Sequence, residues 1–119
     1  MSAPAHEPES ETLATVDFET TTGAGDDEWI VTVHGEIDVA TSPRLRTELH
    51  DCLERGARTI VLDLEAMSFI DSSGLGVLVG VVKRLKDQQG DTIMLCNLQE
   101  PVRRVFEITG LTELFRIEN

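Results

Sequence analysis

The stretch IVLDLEAMSFIDSSGLGVLVG, residues 60–80, decides the fold, because an apolar run gives way to a helical pattern within it. Residues 59–64, TIVLDL, form a β-branched run that is typical of a central strand covered on both faces. After DSSG at 71–74, apolar residues recur at spacings of three and four, which predicts an α-helix that Gly90 ends. The residues of this stripe are Leu75, Leu78, Val82 and Leu85.

Two further strands and a helix are predicted before this stretch. LATVDFET at 13–20 and WIVTVHG at 29–35 alternate in polarity and flank a turn rich in Gly and Asp, which predicts an antiparallel hairpin. TSPRLRTELHDCLERG at 41–56 predicts a helix, with Ser42 as its N-cap and Pro43 at its first position.

The C-terminal part continues the alternation of strands and helices. DTIMLCNL at 91–98 predicts a strand, EPVRRVFEITG at 100–110 a helix, and LFRI at 114–117 a last short strand. The resulting order is β-β-α-β-α-β-α-β. It indicates an α/β fold in which helices pack on a mixed, mostly parallel sheet with an N-terminal antiparallel hairpin.

Composition limits the partners. The 119 residues include 22 acidic residues against 10 Lys and Arg, a formal net charge of −12. Such a surface repels phosphate backbones and anionic lipids, so we expect neither nucleic acid nor a membrane as partner, and a basic protein surface fits better. Residues 1–11 are rich in Pro, Glu and Ser and are expected to form a flexible acidic tail before a single domain at 12–119.

The DSSG segment at the start of the predicted helix has three interpretations. Asp71 or Ser72 can cap the helix, and Gly74 and Gly76 then suggest that another group approaches this backbone closely. Nucleophilic catalysis is disfavoured, because the nucleophile-elbow pattern is absent and no histidine has an evident acidic partner. Phosphorylation is the third interpretation, since backbone amides and the helix dipole at this position accept an anion.

Three segments together resemble the anti-sigma factor antagonists, a branch of the STAS domain family. They are GEIDVATSPRL at 35–45, the stretch at 60–80, and VRRVFEITGLTELFRI at 102–117. The resemblance covers about residues 13–119 and includes the family's D-S-S-G-(L/I)-G element between a strand and a helix.

The resemblance implies a cytoplasmic partner-switching protein without catalytic chemistry, metal or cofactor. In this family the unphosphorylated form binds an anti-sigma factor that is also a serine kinase, and a sigma factor is released. The kinase phosphorylates the serine after the DSSG aspartate, and a serine phosphatase reverses the switch. Carried over, the phosphorylated residue is Ser72, and the partner-binding residues are Asp38, Asp71, Ser73, Gly74 and Leu75.

Two other functions remain open at this point. A STAS domain can be a scaffold subunit of a transport or sensory assembly, although a scaffold does not need phosphorylatable serines in DSSG. A serine esterase would use the same serines as nucleophiles and is expected to show no turnover of a phenyl ester.

Overall fold

The computed structural model describes residues 16–25 and 27–118. The predicted tail at 1–11, its boundary with the domain, and the start of the first predicted strand lie outside these residues. The described part of the chain forms an α/β fold with six strands, three α-helices and one short 3₁₀-helix.

The strands form one mixed sheet. Their bounds are β1 Val16–Thr22, β2 Glu28–Ile37, β3 Thr59–Asp63, β4 Met67–Ile70, β5 Ile93–Cys96 and β6 Arg116–Glu118. The spatial order is β1-β2-β3-β5-β6, with β4 also paired to β2. β1 runs antiparallel to β2, and the remaining pairs are parallel. The predicted mixed sheet with an N-terminal antiparallel hairpin is thus confirmed.

The sequence predicted one strand here, at residues 59–64, whereas the structure has a second strand, β4, immediately after it. A turn closed by the Met67 amide, which donates to the Leu64 carbonyl at 3.0 Å, separates β3 from β4. Both strands pair with β2: β3 along Glu28–Thr32 and β4 along Gly35–Ile37, with a register shift between Gly35 and Glu36 inside the β4 pairing. β2 extends two residues beyond the strand predicted at 29–35 and ends at Ile37.

The helices are α1 Ser42–Glu54, α2 Ser72–Asp87 and α3 Glu100–Thr109. The predicted Ser42 cap is wrong: Thr41 occupies the N-cap position, and Ser42 is the buried first helical residue. Gly90 does not terminate α2 as predicted, since Gln89 takes the left-handed conformation, with φ 64°. Gly110 does end α3 in that conformation, with φ 75°, as expected for a C-terminal glycine.

One face of the sheet carries the core and α1. On this face, the Thr20 hydroxyl donates a hydrogen bond to Glu48 of α1. The guanidinium of Arg55, at the C-cap of α1, lies 5.4 Å from the centroid of the Trp29 indole. Buried residues of β2, β3 and β5 alternate along this face, and they include Val31, Val33, Ile60, Leu62, Ile93 and Leu95. α2 packs against α1, and α3 packs against β4.

The opposite face of the central strands is less covered than the sequence predicted. In β3, Ile60 and Leu62 are at most 1% exposed, whereas Thr59, Val61 and Asp63 are only half-buried. The β-branched run therefore belongs to a strand fully covered on one face, and the prediction of coverage on both faces is wrong.

The two cysteines differ in environment. Cys52 on α1 is 1% exposed, and burial, reinforced by Glu48 and Asp51, raises the pKa of its thiol to about 11. It is therefore protonated at neutral pH and acts as a small buried hydrophobe. Cys96 at the end of β5 is only half-buried. No helix among the described residues is long and apolar enough to cross a membrane.

Candidate functional site

Strand pairing brings the two predicted site segments together at one edge of the sheet. Ile37, the last residue of β2, pairs in register with Ile70, the last residue of β4. The chain therefore leaves both strands side by side, with Asp38 following the first and Asp71 the second. The Asp71 amide donates to the Ile37 carbonyl at 3.1 Å and extends this pairing by one residue.

Asp71 is the N-cap of α2. Its backbone is extended, and its Oδ1 accepts hydrogen bonds from the amides of Ser73 at 2.9 Å and Gly74 at 3.3 Å. The cap satisfies two amides that would otherwise lack a helical partner. A phosphate on this helix start therefore does not find these two amides vacant, contrary to the expectation that they would receive it.

The two serines differ in accessibility. Ser72 is the first residue of α2 and is exposed, whereas Ser73 is half-buried and its amide is held by Asp71. Of the two serines, Ser72 is therefore the more accessible to solvent.

Gly74 and Leu75, two of the predicted partner-binding residues, are buried. A Cβ at Gly74 would lie 2.5 Å from Ile37 Cγ2 and 2.7 Å from Ile70 Cγ1. The group that approaches this glycine closely is thus the protein's own core, which fixes α2 against the paired ends of β2 and β4. Gly76 has no neighbouring atom within 4 Å of such a Cβ, so the close approach predicted for it is not found.

Asp38 forms a turn at the other half of the edge. Its Oδ1 accepts hydrogen bonds from the Ala40 amide at 2.9 Å and the Thr41 amide at 3.0 Å. Asp38 is half-buried. These bonds make an Asx-type turn, and the carboxylate shapes the loop.

Two residues of this loop were missed from the sequence. Thr41, 3% exposed, donates its hydroxyl to the Glu36 carbonyl at 2.8 Å and accepts the Asp38 amide at 2.8 Å. Val39 is 75% exposed at the tip of the loop. The available signals were a threonine three residues after an aspartate, which is typical of side-chain-to-backbone turns, and an apolar residue inside a polar loop.

The site contains no metal-binding constellation in the part of the chain that the structure describes, where no group of three or more His, Cys, Asp and Glu side chains could hold an ion. This edge of the sheet presents the Ser72 hydroxyl and the exposed side chain of Val39. It also carries the carboxylates of Asp38 and Asp71, which hydrogen bonds hold in place. These groups suit recognition by another protein and modification of Ser72.

The Asp71 cap can be tested by its stability contribution. We expect Asp71→Ala to lower the free energy of unfolding by about 1 kcal/mol, because two amides at the start of α2 lose their acceptor. Asp71→Asn keeps an acceptor oxygen and is expected to lose less. Thermal unfolding followed by circular dichroism measures both, and an Asp71→Ala protein that melts like the wild type would contradict the capping role.

Comparison with known proteins agrees with this geometry. The STAS domain family model matches residues 15–119. The anti-sigma-B factor antagonist of Bacillus subtilis (strain 168) is 44% identical over 87 residues, which span 73% of this chain and 78% of that protein. The anti-sigma-B factor antagonist of Staphylococcus aureus (strain NCTC 8325 / PS 47) is 38% identical over 102 residues, which span 86% and 92%.

A solved structure supports the same assignment. The anti-sigma factor antagonist SpoIIAA in its unphosphorylated form superposes with a TM-score of 0.73 at 25% identity, covering 87% of this chain and 89% of that one. The chain therefore belongs to the STAS domain family, in which the relatives it resembles carry the name anti-sigma factor antagonist.

Proposed function

We propose that this protein is an anti-sigma factor antagonist whose binding is switched off by phosphorylation of Ser72. The unphosphorylated form binds an anti-sigma factor that is also a serine kinase, in the cytoplasm, and thereby releases a sigma factor. A serine phosphatase restores the binding form. The protein itself contributes a surface and a phosphate acceptor and performs no catalysis.

The observation that carries this proposal is the exposure of Ser72 on the first turn of α2, beside the Asp38 loop. A kinase needs an accessible hydroxyl next to a surface that it can hold. The paired ends of β2 and β4 supply both within one edge. This arrangement also favours an antagonist over a scaffold subunit, since a scaffold has no use for an accessible hydroxyl at this position.

The charge of the phosphate explains why the complex would separate. Phosphorylation adds about −1.5 to −2 charges. In the complex with its kinase, Ser72 faces the nucleotide phosphates and the kinase's catalytic carboxylate, because phosphoryl transfer requires them there. One pair of like charges ~6 Å apart costs roughly 3 kcal/mol at an effective dielectric near 20, which is about hundredfold in affinity.

The folded state has no need to change for this switch. Asp71 keeps the amides of Ser73 and Gly74 occupied, so the phosphate is not drawn onto the helix end and remains at the surface. It therefore acts on the partner directly.

The test is to mix the protein with its anti-sigma factor kinase and measure binding before and after ATP is added. Complexes that persist after complete phosphorylation of Ser72 would refute the proposal.

Asp38 combines a structural role with a proposed electrostatic one, and two substitutions separate them. Asp38→Asn keeps an oxygen for the turn and removes the charge, so we expect an unchanged melting temperature and a severalfold loss of kinase affinity at low salt. The loss should shrink as the salt concentration rises. Asp38→Ala removes the turn as well, and we expect about 1 kcal/mol of destabilisation.

The comparison is made by calorimetric titration at two salt concentrations, with thermal melts of all three proteins. If Asp38→Asn binds like the wild type at low salt, the carboxylate has no electrostatic part in recognition. The turn bonds to Ala40 and Thr41 then explain Asp38 completely.

A further inference from the structure

The sheet face opposite α1 carries an apolar row that no described element covers. In the strand register, Ile30 of β2 lies beside Val61 of β3, and Val61 beside Met94 of β5. Because neighbours in a register point to the same side of a sheet, these three side chains form one row across the central strands, which we call the open-face row.

Burial shows that the open-face row lacks the packing of the other face. Ile30, Val61 and Met94 are half-buried, and none of them packs against the core cluster. The next residue along each strand, Val31, Leu62 and Leu95, points to the other face and is at most 1% exposed. The difference arises within the same strands, so it reflects what covers each face.

The neighbouring row on the open face is acidic. Two residues further along the strands, the register aligns Glu19, Thr32, Asp63, Cys96 and Glu118. Glu19 and Glu118 are exposed, and Asp63 is half-buried. Asp63 and Glu118 flank Cys96 in the register, and burial together with these two carboxylates raises the pKa of the Cys96 thiol.

The unpaired charges of this face are negative. Arg116 ends the open-face row on β6, and its guanidinium is paired with Asp91 at 3.2 Å. Three carboxylates in the acidic row therefore face whatever covers the apolar row. Neighbouring strands are about 4.8 Å apart, so the five strands span roughly 19 Å, the length of about 13 helical residues.

We propose that the open face binds a basic amphipathic segment of a partner protein, with apolar side chains on Ile30, Val61 and Met94 and Lys or Arg on Glu19, Asp63 and Glu118. A second copy of this chain would bring two acidic rows together. Residues 1–15 of the chain itself contain three glutamates and neither Lys nor Arg. Charge complementarity thus favours a basic partner over both, and this binding surface is separate from the Ser72 edge.

A photo-crosslinking experiment on the full chain tests this surface. The crosslinking residue p-benzoylphenylalanine replaces Met94, and in a matched control it replaces Ile108, which is 76% exposed on α3. After irradiation in cells, the attached peptide is identified by mass spectrometry. We expect an adduct at position 94, absent at position 108, that maps to a Lys- or Arg-rich segment with periodic apolar residues in another protein.

Charge reversal supplies the second arm. Glu19→Lys with Glu118→Lys is expected to reduce the adduct at position 94 about tenfold, because two favourable charge contacts become repulsive. Glu54→Lys with Glu107→Lys makes the same change in net charge on exposed helical positions and should leave the yield within about twofold.

The proposal is overturned by an adduct to a second copy of this chain, to residues 1–15, or to an acidic or uncharged segment. It is equally overturned if no adduct forms at position 94 of a protein that melts like the wild type, or if both charge reversals reduce the yield alike. Binding to the kinase and phosphorylation of Ser72 are measured on the same variants, and we expect both to be unchanged.

Discussion

Gly74→Ala is expected to lower the free energy of unfolding by about 1–3 kcal/mol, because the added methyl group overlaps the core. Its Cβ would lie 2.5 Å from Ile37 Cγ2 and 2.7 Å from Ile70 Cγ1, and both isoleucines are buried at paired strand ends. The gain in helix propensity, about 1 kcal/mol for Gly to Ala, offsets only part of the cost of overlapping two buried side chains.

Gly76 is the matched control two residues along the same helix. A Cβ there meets no atom within 4 Å, and the position is exposed. Gly76→Ala should therefore raise the free energy of unfolding by about 0.5–1 kcal/mol through helix propensity alone. Urea denaturation of both variants measures the difference. Equal effects of the two substitutions would mean that Gly74 is not the contact that seats α2 on the sheet.

Substitution of Ser72 should divide binding from release. We expect Ser72→Ala to bind the anti-sigma factor kinase like the wild type and to remain bound when ATP is added, because the phosphate acceptor is missing. Ser72→Asp should bind at least about tenfold more weakly, although its single charge imitates only part of the phosphate. Ser73→Ala is the control and should be phosphorylated and released normally.

Both Ser72 variants should remain folded, since Ala and Asp are tolerated at an exposed helix start. Size-exclusion chromatography of each variant with the kinase, with and without ATP, measures retention, and thermal melts check the fold. Release of Ser72→Ala by ATP would contradict the assignment. A loss of cooperative unfolding in Ser72→Asp would show that the position is structural.

Much of the sheet follows from local patterns in the sequence, but the division of residues 59–70 into β3 and β4 does not. The turn between them, from Leu64 to Met67, contains neither Gly nor Pro, and only Glu65 interrupts its apolar residues. Only the pairing of β4 with the far end of β2, across the register shift at Gly35 and Glu36, separates the two strands. Such long-range pairing leaves no local signal.

The functional site could also be predicted only in part, because some of its contacts join residues that are far apart in the sequence. Turn and cap chemistry is local, so residue types limited the cap of α2 to Asp71 or Ser72, and the structure selects Asp71. The purpose of Gly74 could not be inferred, because the side chains that crowd it come from Ile37 and Ile70 on two different strands. Thr41 was overlooked because Ser42 is also a good cap residue by type, and the Thr41 hydroxyl bonds to Glu36 and Asp38, which lie outside the helix.

The central claim is tested most directly by phosphorylating the wild-type protein to completion with its anti-sigma factor kinase, locating the phosphate by fragmentation, and measuring the dissociation constant of the purified product. We expect the phosphate on Ser72, an unchanged fold by circular dichroism, and a dissociation constant about a hundredfold higher than that of the unphosphorylated protein. Phosphate on Ser73 or on a threonine, or an unchanged dissociation constant with Ser72 phosphorylated, would contradict the proposed switch.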